Sequence, residues 1–137
     1  NCRMGDPETE VVMPRLETDL VSLFAAMDNG TLADTNIEYN AGSFATVMAV
    51  SGGYPGDYKK NLPIDGLSNV ANNKESIVFH AGTKEEGETI VTNGGRVLTV
   101  TSSADNITHA VEKSKAVLAN ISFEGMYFRN DIGYEFE

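Results

Sequence analysis

Glu88-Thr89-Ile90-Val91-Thr92-Asn93-Gly94-Gly95-Arg96-Val97-Leu98-Thr99-Val100-Thr101 is the stretch on which the fold turns. Two β-rich runs, Glu88 to Thr92 and Arg96 to Thr101, flank Asn93-Gly94-Gly95. Asn and Gly accept the positive φ that tight hairpin turns demand, so the spacing predicts a hairpin. Before it, Ser76 to His80 reads as a strand, followed by an Ala81-Gly82-Thr83 turn and the charged Lys84-Glu85-Glu86. Phe44 to Val50 reads as a buried strand ended by Ser51-Gly52-Gly53-Tyr54-Pro55-Gly56. The adjacent glycines there imply unusual backbone angles or close approach of another segment. Lys59 to Asn73 reads as loop, with Pro63 and Gly66 as breakers.

After the hairpin, Asp105 is the expected N-cap of an amphipathic helix that carries Ile107, Val111, Leu118 and Ile121 and ends near Asn120. Met126 to Phe136 has the alternation of a last strand or two. At the front, Leu16, Leu20, Leu23, Phe24 and Met27 recur at three- and four-residue steps, which predicts one helix from Pro14 to Asn29. Asn29-Gly30 supplies its stop, and Thr31 to Gly42 is a polar connector with a short strand around Ile37 to Tyr39. The sum is an α+β chain: a helix, then a mostly β module with one helix packed on it.

Composition bounds the function. At 137 residues the chain is one domain in size, with 41% apolar and 22% charged residues, ordinary values for a soluble globular protein. Its longest apolar run, Phe44 to Val50, is too short to span a bilayer. A net charge of −10 disfavours nucleic acid and anionic lipid as partners. The single Cys excludes an internal disulfide framework and fits a reducing cytosol.

The densest chemistry stands at the front, in Asn1-Cys2-Arg3-Met4-Gly5-Asp6-Pro7-Glu8-Thr9-Glu10. An Asn carbonyl is a legitimate Mg²⁺ ligand. Arg3, two residues on, shares its face in an extended strand and is a candidate clamp for a transferred phosphoryl group. Gly5-Asp6-Pro7 presents Asp6 at a turn, able to hold an amine or a ribose hydroxyl. The bland alternatives are a surface salt bridge for Arg3 and simple turn chemistry for Asp6. His80 and His109 read as structural, and Arg96 and Arg129 as salt-bridge formers. Gly52 to Gly56 reads either as a wall of a substrate cleft or as a strand-ending turn. No Ser-His-Asp set, zinc spacing, Walker loop or dinucleotide fingerprint competes.

Taken as an ordered string, Arg3 to Glu10 resembles the signature of the phosphoribosylamine–glycine ligase family: Arg, a bulky apolar residue, Gly-Asp-Pro-Glu, a variable residue, then Glu or Gln. The resemblance continues through Ser51 to Gly56, His80-Ala81-Gly82-Thr83, Asn93 to Val97 and Arg129-Asn130-Asp131-Ile132-Gly133, and so covers essentially the whole chain. It implies an ATP-grasp carbon–nitrogen ligase in which MgATP phosphorylates glycine and the amine of 5-phosphoribosylamine attacks the glycyl phosphate. The products are glycinamide ribonucleotide, ADP and phosphate, in cytoplasmic de novo purine biosynthesis. Asn1 then corresponds to a metal ligand whose companion Glu lies upstream of this chain, and Arg3 to the catalytic residue near the transferred phosphate. Gly5, Asp6, Pro7, Gly53 and Tyr54 become the substrate-binding candidates. The implied cofactor is Mg²⁺ or Mn²⁺, with ATP as co-substrate.

The resemblance also divides the chain: residues 1–42 as the edge of the ATP-grasp domain (strand plus helix) with a connector, and 43–137 as a small β-rich, barrel-like C-terminal domain. The upstream ATP-grasp domains of the same protein are the expected partners, and the chain alone, without half the metal site and the nucleotide pocket, is expected to be inactive. The rival reading is a non-catalytic β-barrel interaction module, whose exposed face would include the apolar side of the Pro14 to Asn29 helix and drive self-association.

Overall fold

In a computed structural model of the chain, residues 3–71 and 75–136 are described. The elements run, in chain order, α1 (Thr9–Val12), α2 (Leu20–Asp28), β1 (Ser43–Val50), α3 (Leu67–Val70), β2 (Ser76–His80), β3 (Thr83–Glu86), β4 (Thr89–Thr92), β5 (Arg96–Ala104) and α4 (Ile107–Leu118), with 3₁₀ turns at Met13–Arg15, Leu32–Asp34 and Tyr134–Phe136.

β5 is the axis. It lies between β1 and β2, antiparallel to both, and β3 pairs with β4 in a separate two-stranded sheet. A central strand covered on both faces needs a near-continuous run of apolar or hydrogen-bonded side chains, and Val97, Leu98, Thr99 and Val100 are all fully buried. Strand alternation gives β5 two distinct faces. On one, Ser114 of α4 donates to the Ala45 carbonyl at 3.0 Å and lies 2.9 Å from Ser102 Oγ, which is 2.7 Å from Ser76 Oγ. This seats α4 on the sheet through a satisfied buried hydroxyl chain. On the other face, Thr101 Oγ1 donates to the Glu10 carbonyl at 2.8 Å and lies 2.9 Å from Thr46 Oγ1, which ties α1 to the sheet. The main core gathers Val47, Ala49, Leu98, Val100, Leu118 and Phe123 on the α4 side.

Several expectations are corrected. Asn93-Gly94-Gly95 joins no hairpin: β4 pairs with β3 through the two-residue Gly87-Glu88 loop, with Gly87 at φ 64°, while β5 crosses into the other sheet. Gly94 and Gly95 adopt no positive φ; they are glycines because a Cβ on Gly94 would stand 3.0 Å from Gly82 Cα and one on Gly95 would overlap the Tyr54 ring. The charged Lys84-Glu85-Glu86 is strand, since an exposed edge tolerates charge.

The front helix is broken, not continuous from Pro14. Pro14 lies in a 3₁₀ turn, the Glu17 and Thr18 amides donate to the Glu38 carbonyl at 2.9 and 3.3 Å, and helix resumes only where Asp19 caps the Ser22 amide at 2.7 Å. The strand expected around Ile37 to Tyr39 reduces to an isolated Leu16–Tyr39 bridge. The N-cap of α4 is Asn106, whose Oδ1 accepts from the His109 amide at 2.9 Å, and not Asp105. The stretch 59–73 holds the short helix α3. Met126 to Phe136 is turn and 3₁₀ with one bridge, Val50–Tyr127, so its apolar side chains alternate without a strand to pair with. The strands make two sheets, and isolated bridges tie the segment before α3 to β4 (Pro63–Val91) and to the segment after α4 (Asp65–Ser122). The α+β class stands, with α4 the packed helix. The described residues before β1 form α1, α2 and two 3₁₀ turns.

Candidate functional site

The Gly5-Asp6-Pro7-Glu8 string folds as a turn that runs directly into α1. The Gly5 amide donates to Glu8 Oε2 at 3.1 Å, and the Gly5 carbonyl accepts from the Thr9 amide at 2.9 Å and from Thr9 Oγ1 at 2.7 Å. The Asp6–Pro7 peptide is cis. Asp6 is held from outside the turn: Arg96 donates Nη1 to the Asp6 carbonyl at 3.1 Å and Nη2 to Asp6 Oδ2 at 2.7 Å. Arg3 is exposed, its Nη1 donating to the Met4 carbonyl at 3.4 Å. Asn1, the expected metal ligand, and Cys2 lie outside the described residues.

The second candidate segment meets the first through β5. Gly53 sits at φ 97°, and a Cβ there would strike the Asp57 carbonyl; Gly52 passes so close to Gly125 that a Cβ would stand 2.8 Å from its carbonyl oxygen. Both readings of the paired glycines, unusual angles and close approach, therefore apply. Ser51 fixes the loop, donating its amide to the Gly95 carbonyl at 2.8 Å and its hydroxyl to the Gly94 carbonyl at 2.9 Å. The Tyr54 ring packs over Gly95 and meets Tyr58 edge-on, ring centres 6.2 Å apart. Consecutive residues, Gly95 and Arg96, thus hold Tyr54 and Asp6. Asp6 and Tyr54 meet at the start of one strand through Arg96 and Gly95, while the contacts of Gly5 and Gly53 are local, to Glu8 and to Asp57.

Beneath the turn, a groove of about 630 Å³ opens between α1 and β2, lined among others by Asp6, Glu10, Met13, Ile77, Phe79 and His80. Among the described residues, Glu10 Oε2 and, outside the groove's lining, Thr99 Oγ1 on β5 are buried side-chain atoms with no hydrogen-bond partner. No single residue type flagged Glu10 in the sequence beyond its place at the end of the Arg3 to Glu10 string. The histidines have local partners: His80 Nδ1 lies 3.0 Å from Thr83 Oγ1, and His109 Nδ1 2.8 Å from Asp105 Oδ1, which holds the Asp105 carboxyl below its ordinary range. Arg129 forms a bidentate pair with Asp131, at 2.9 and 2.8 Å, as a salt-bridge former should. Among the described residues no group of three or more His, Cys, Asp or Glu is placed to hold a metal ion, so these residues do not by themselves make a metal site. No described helix is long and apolar enough to cross a membrane.

The fold and site define an α+β domain whose central antiparallel strand is backed by one helix and anchors an Arg-to-Glu turn motif at its start. Known proteins share its fold. The model of the family described as phosphoribosylglycinamide synthetase, C domain, matches residues 44–135. The chain is 47% identical over 134 residues to the bifunctional purine biosynthetic protein purD of Dictyostelium discoideum, covering 97% of this chain and 16% of that protein. It is 46% identical over 136 residues to the phosphoribosylamine–glycine ligase of a Nostoc species, covering 98% of this chain and 32% of that one. The crystal structure of the phosphoribosylamine–glycine ligase from Thermotoga maritima superposes with a TM-score of 0.72 at 28% identity, covering 96% of this chain and 32% of that chain. The chain belongs to the phosphoribosylglycinamide synthetase C-domain family, and it spans about a third or less of the length of these relatives.

Proposed function

We propose that this chain is part of a ligase that joins glycine to 5-phosphoribosylamine at the expense of ATP, giving glycinamide ribonucleotide, ADP and phosphate in cytoplasmic purine biosynthesis. The observation that carries the reading is the complete Arg3 to Glu10 string, folded as a turn and pinned by Arg96 to a domain of this family. Phosphoryl transfer depends on positioning and charge neutralisation more than on a dedicated nucleophile. In this reading the exposed Arg3 guanidinium neutralises the transferred phosphoryl group. The Gly5-Asp6-Pro7 turn and the Gly53-Tyr54 loop line the substrate cleft, with Arg96 setting their spacing. Asn1, with a carboxylate outside this chain, would hold Mg²⁺, which when bound would supply charge neutralisation at the phosphates. The nucleotide pocket belongs to upstream ATP-grasp domains, which the exposed apolar side of α2 (Val21, Phe24 and Met27, each more than half exposed) would meet.

The test is ADP release by the longest chain expressed from the same gene, with Mg²⁺, glycine and phosphoribosylamine each omitted in turn. Release that needs all three is expected. Release that ignores phosphoribosylamine but follows another amine would keep the ATP chemistry and overturn the substrate. If no combination gives ADP, the ligase reading falls and a non-catalytic interaction module replaces it. The present chain alone is expected to release no ADP under the same conditions, and turnover by it would overturn the proposed division of the active site.

A further inference from the structure

Among the described residues, the outer edge of β2 is the one strand edge that nothing guards. A bare edge invites another strand, so folded proteins cover their edges, charge them or interrupt them with proline. The other edges here follow that rule. Val50 of β1 exchanges both backbone hydrogen bonds with Tyr127, at 2.8 and 3.1 Å. β4 is covered by the segment before α3: Ile64 donates to the Ile90 carbonyl and Thr92 to the Leu62 carbonyl, each at 2.9 Å. β3 carries Lys84, Glu85 and Glu86. β2 reads Ser-Ile-Val-Phe-His, with no Lys, Arg, Asp, Glu or Pro and no bulge in its pairing with β5. The ladder sets the direction of its free groups. The Ser103 amide donates to the Glu75 carbonyl at 3.2 Å and the Ala81 amide to the Val97 carbonyl at 3.0 Å. Antiparallel hydrogen-bonded pairs recur at every second residue, so Ile77 and Phe79 face β5, and the amides and carbonyls of Ser76, Val78 and His80 face outward. Among the described residues no backbone hydrogen bond reaches those outward groups.

Grooves flank this edge on both sides. One is the groove under the turn, which Met13, Ile77 and Phe79 line; the other, of about 550 Å³, is lined by Val70, Val78 and Ile90. Ile77 borders both and is 46% exposed. A bare edge with apolar room for alternate side chains is the geometry of β-strand addition. The strand's own sequence selects the occupant. Laid antiparallel against a second β2 about a twofold axis at Val78, Ser76, Val78 and His80 each exchange both backbone hydrogen bonds with the partner strand. Val78 then meets the partner's Val78, and Ile77 meets the partner's Phe79, so apolar side chains meet apolar ones. Two chains of net charge −10 bring no like charges together at this seam, since Ser76 to Ala81 holds no acid and Glu75 falls opposite the partner's Ala81. A slip of one residue in either strand would break this matching of outward groups and faces. We infer that β2 is a self-association edge, at which a second copy of this chain pairs antiparallel to extend the three-stranded sheet across a twofold axis. The inference goes beyond the ligase reading and does not rest on it.

The test is sedimentation of the chain itself across a concentration series, paired with amide hydrogen exchange. A monomer–dimer equilibrium is expected, and it should tighten as salt screens the repulsion between the two acidic chains. Exchange of the Val78 and His80 amides should slow as the dimer forms, while that of Phe79, already held by β5, should not change. Ile77→Lys sets a charge against the partner's Phe79 from an exposed position and should raise the dimer Kd by about tenfold or more. His80→Pro removes an outward amide without touching the β2–β5 ladder and should act in the same direction, which keeps the test decisive if Ile77→Lys fails to fold. Val21→Ser, on the exposed side of α2, should leave dimerisation unchanged. A strictly monomeric chain, a dimer whose Val78 and His80 amides stay unprotected, a dimer that survives both edge variants, or one lost in Val21→Ser would overturn the inference. The longest chain expressed from the same gene should dimerise through the same edge. If it stays monomeric with those two amides protected, its upstream segment occupies the edge and the second copy is ruled out. None of these outcomes depends on ADP release, so the ligase reading and the edge stand or fall separately.

Discussion

Arg96 joins a turn 90 residues earlier in the chain to a strand entry, and its neighbour Gly95 seats the Tyr54 ring, so two adjacent residues fix the spacing of the site. The two contacts differ in kind. The Arg96–Asp6 pair has side chains 39% and 47% exposed, so water and salt screen it. Arg96→Ala should cost less than about 1 kcal/mol of stability in urea unfolding. It should instead shift the amide resonances of Gly5, Asp6 and Glu8; a stability loss of several kcal/mol would show that the pair is structural. Gly95→Ala is steric, because an added methyl overlaps the Tyr54 ring, and should cost about 1–3 kcal/mol as overpacking does. Tyr54→Ala in the same background should relieve much of that, and strictly additive losses would deny the contact. At this scale the sequence told much about residue types and little about pairing. The Arg3 to Glu10 string was legible because its chemistry is local. The Asp6–Arg96 pair was not, since nothing in a sequence reports a contact at that separation. The burial of Glu10 Oε2 without a partner was not legible either, since it is a property of packing alone.

Elements show the same division between local and non-local signals. β2 matches its sequence reading residue for residue, and β1 extends it by one residue, because bounded β-rich runs need only local propensity. The hairpin failed because Asn93-Gly94-Gly95 satisfies two different demands with the same residues: positive φ in a turn, or bare backbone where segments cross. The helix from Pro14 failed because the apolar spacing of Leu16 and Leu20 continued through a segment whose amides are claimed by Glu38. The caps carry testable consequences. Asn106→Ala removes the acceptor for the His109 amide and should lower stability by about 1 kcal/mol. Asp19 caps α2, and hydrogen bonds from the Ser22 amide first, then its hydroxyl, hold its carboxyl below the ordinary range. A depressed folded value means that the cap's contribution is complete above the unfolded carboxyl pKa of about 3.9 and is lost as pH falls through the lower folded one. The Ser22 amide should therefore shift in an acid titration with a midpoint below that of a free aspartate. Asp19→Asn, which caps without titrating, should abolish the step; a midpoint at or above the ordinary value would contradict the cap.

Across the whole molecule, burial is unevenly divided. β5 and α4 hold Val97, Leu98, Val100, Ala110 and Leu118 at or near zero exposure, whereas α2 buries only Leu23 and leaves Val21, Phe24 and Met27 71%, 58% and 59% exposed. Local opening costs least where few apolar contacts are broken, so the front of the chain and the β5–α4 body should not share one stability. Native-state hydrogen exchange is expected to grade accordingly, with β5 amides exchanging only through global unfolding and α2 amides through a local opening that denaturant barely affects. Leu98→Ala tests the link between the two. Deleting this fully buried side chain should cost about 2–5 kcal/mol. That loss should appear in full in the exchange of β5 and α4 amides, because they open with the core. The α2 amides should be nearly unchanged, because their opening does not break the core. Equal protection of α2 and β5, or an equal loss in both after Leu98→Ala, would mean that α2 is bound into the core despite its exposed face. The gradient also bears on the proposed function: a helix held to its own domain by one buried leucine keeps its apolar side free for the upstream domains proposed to meet it.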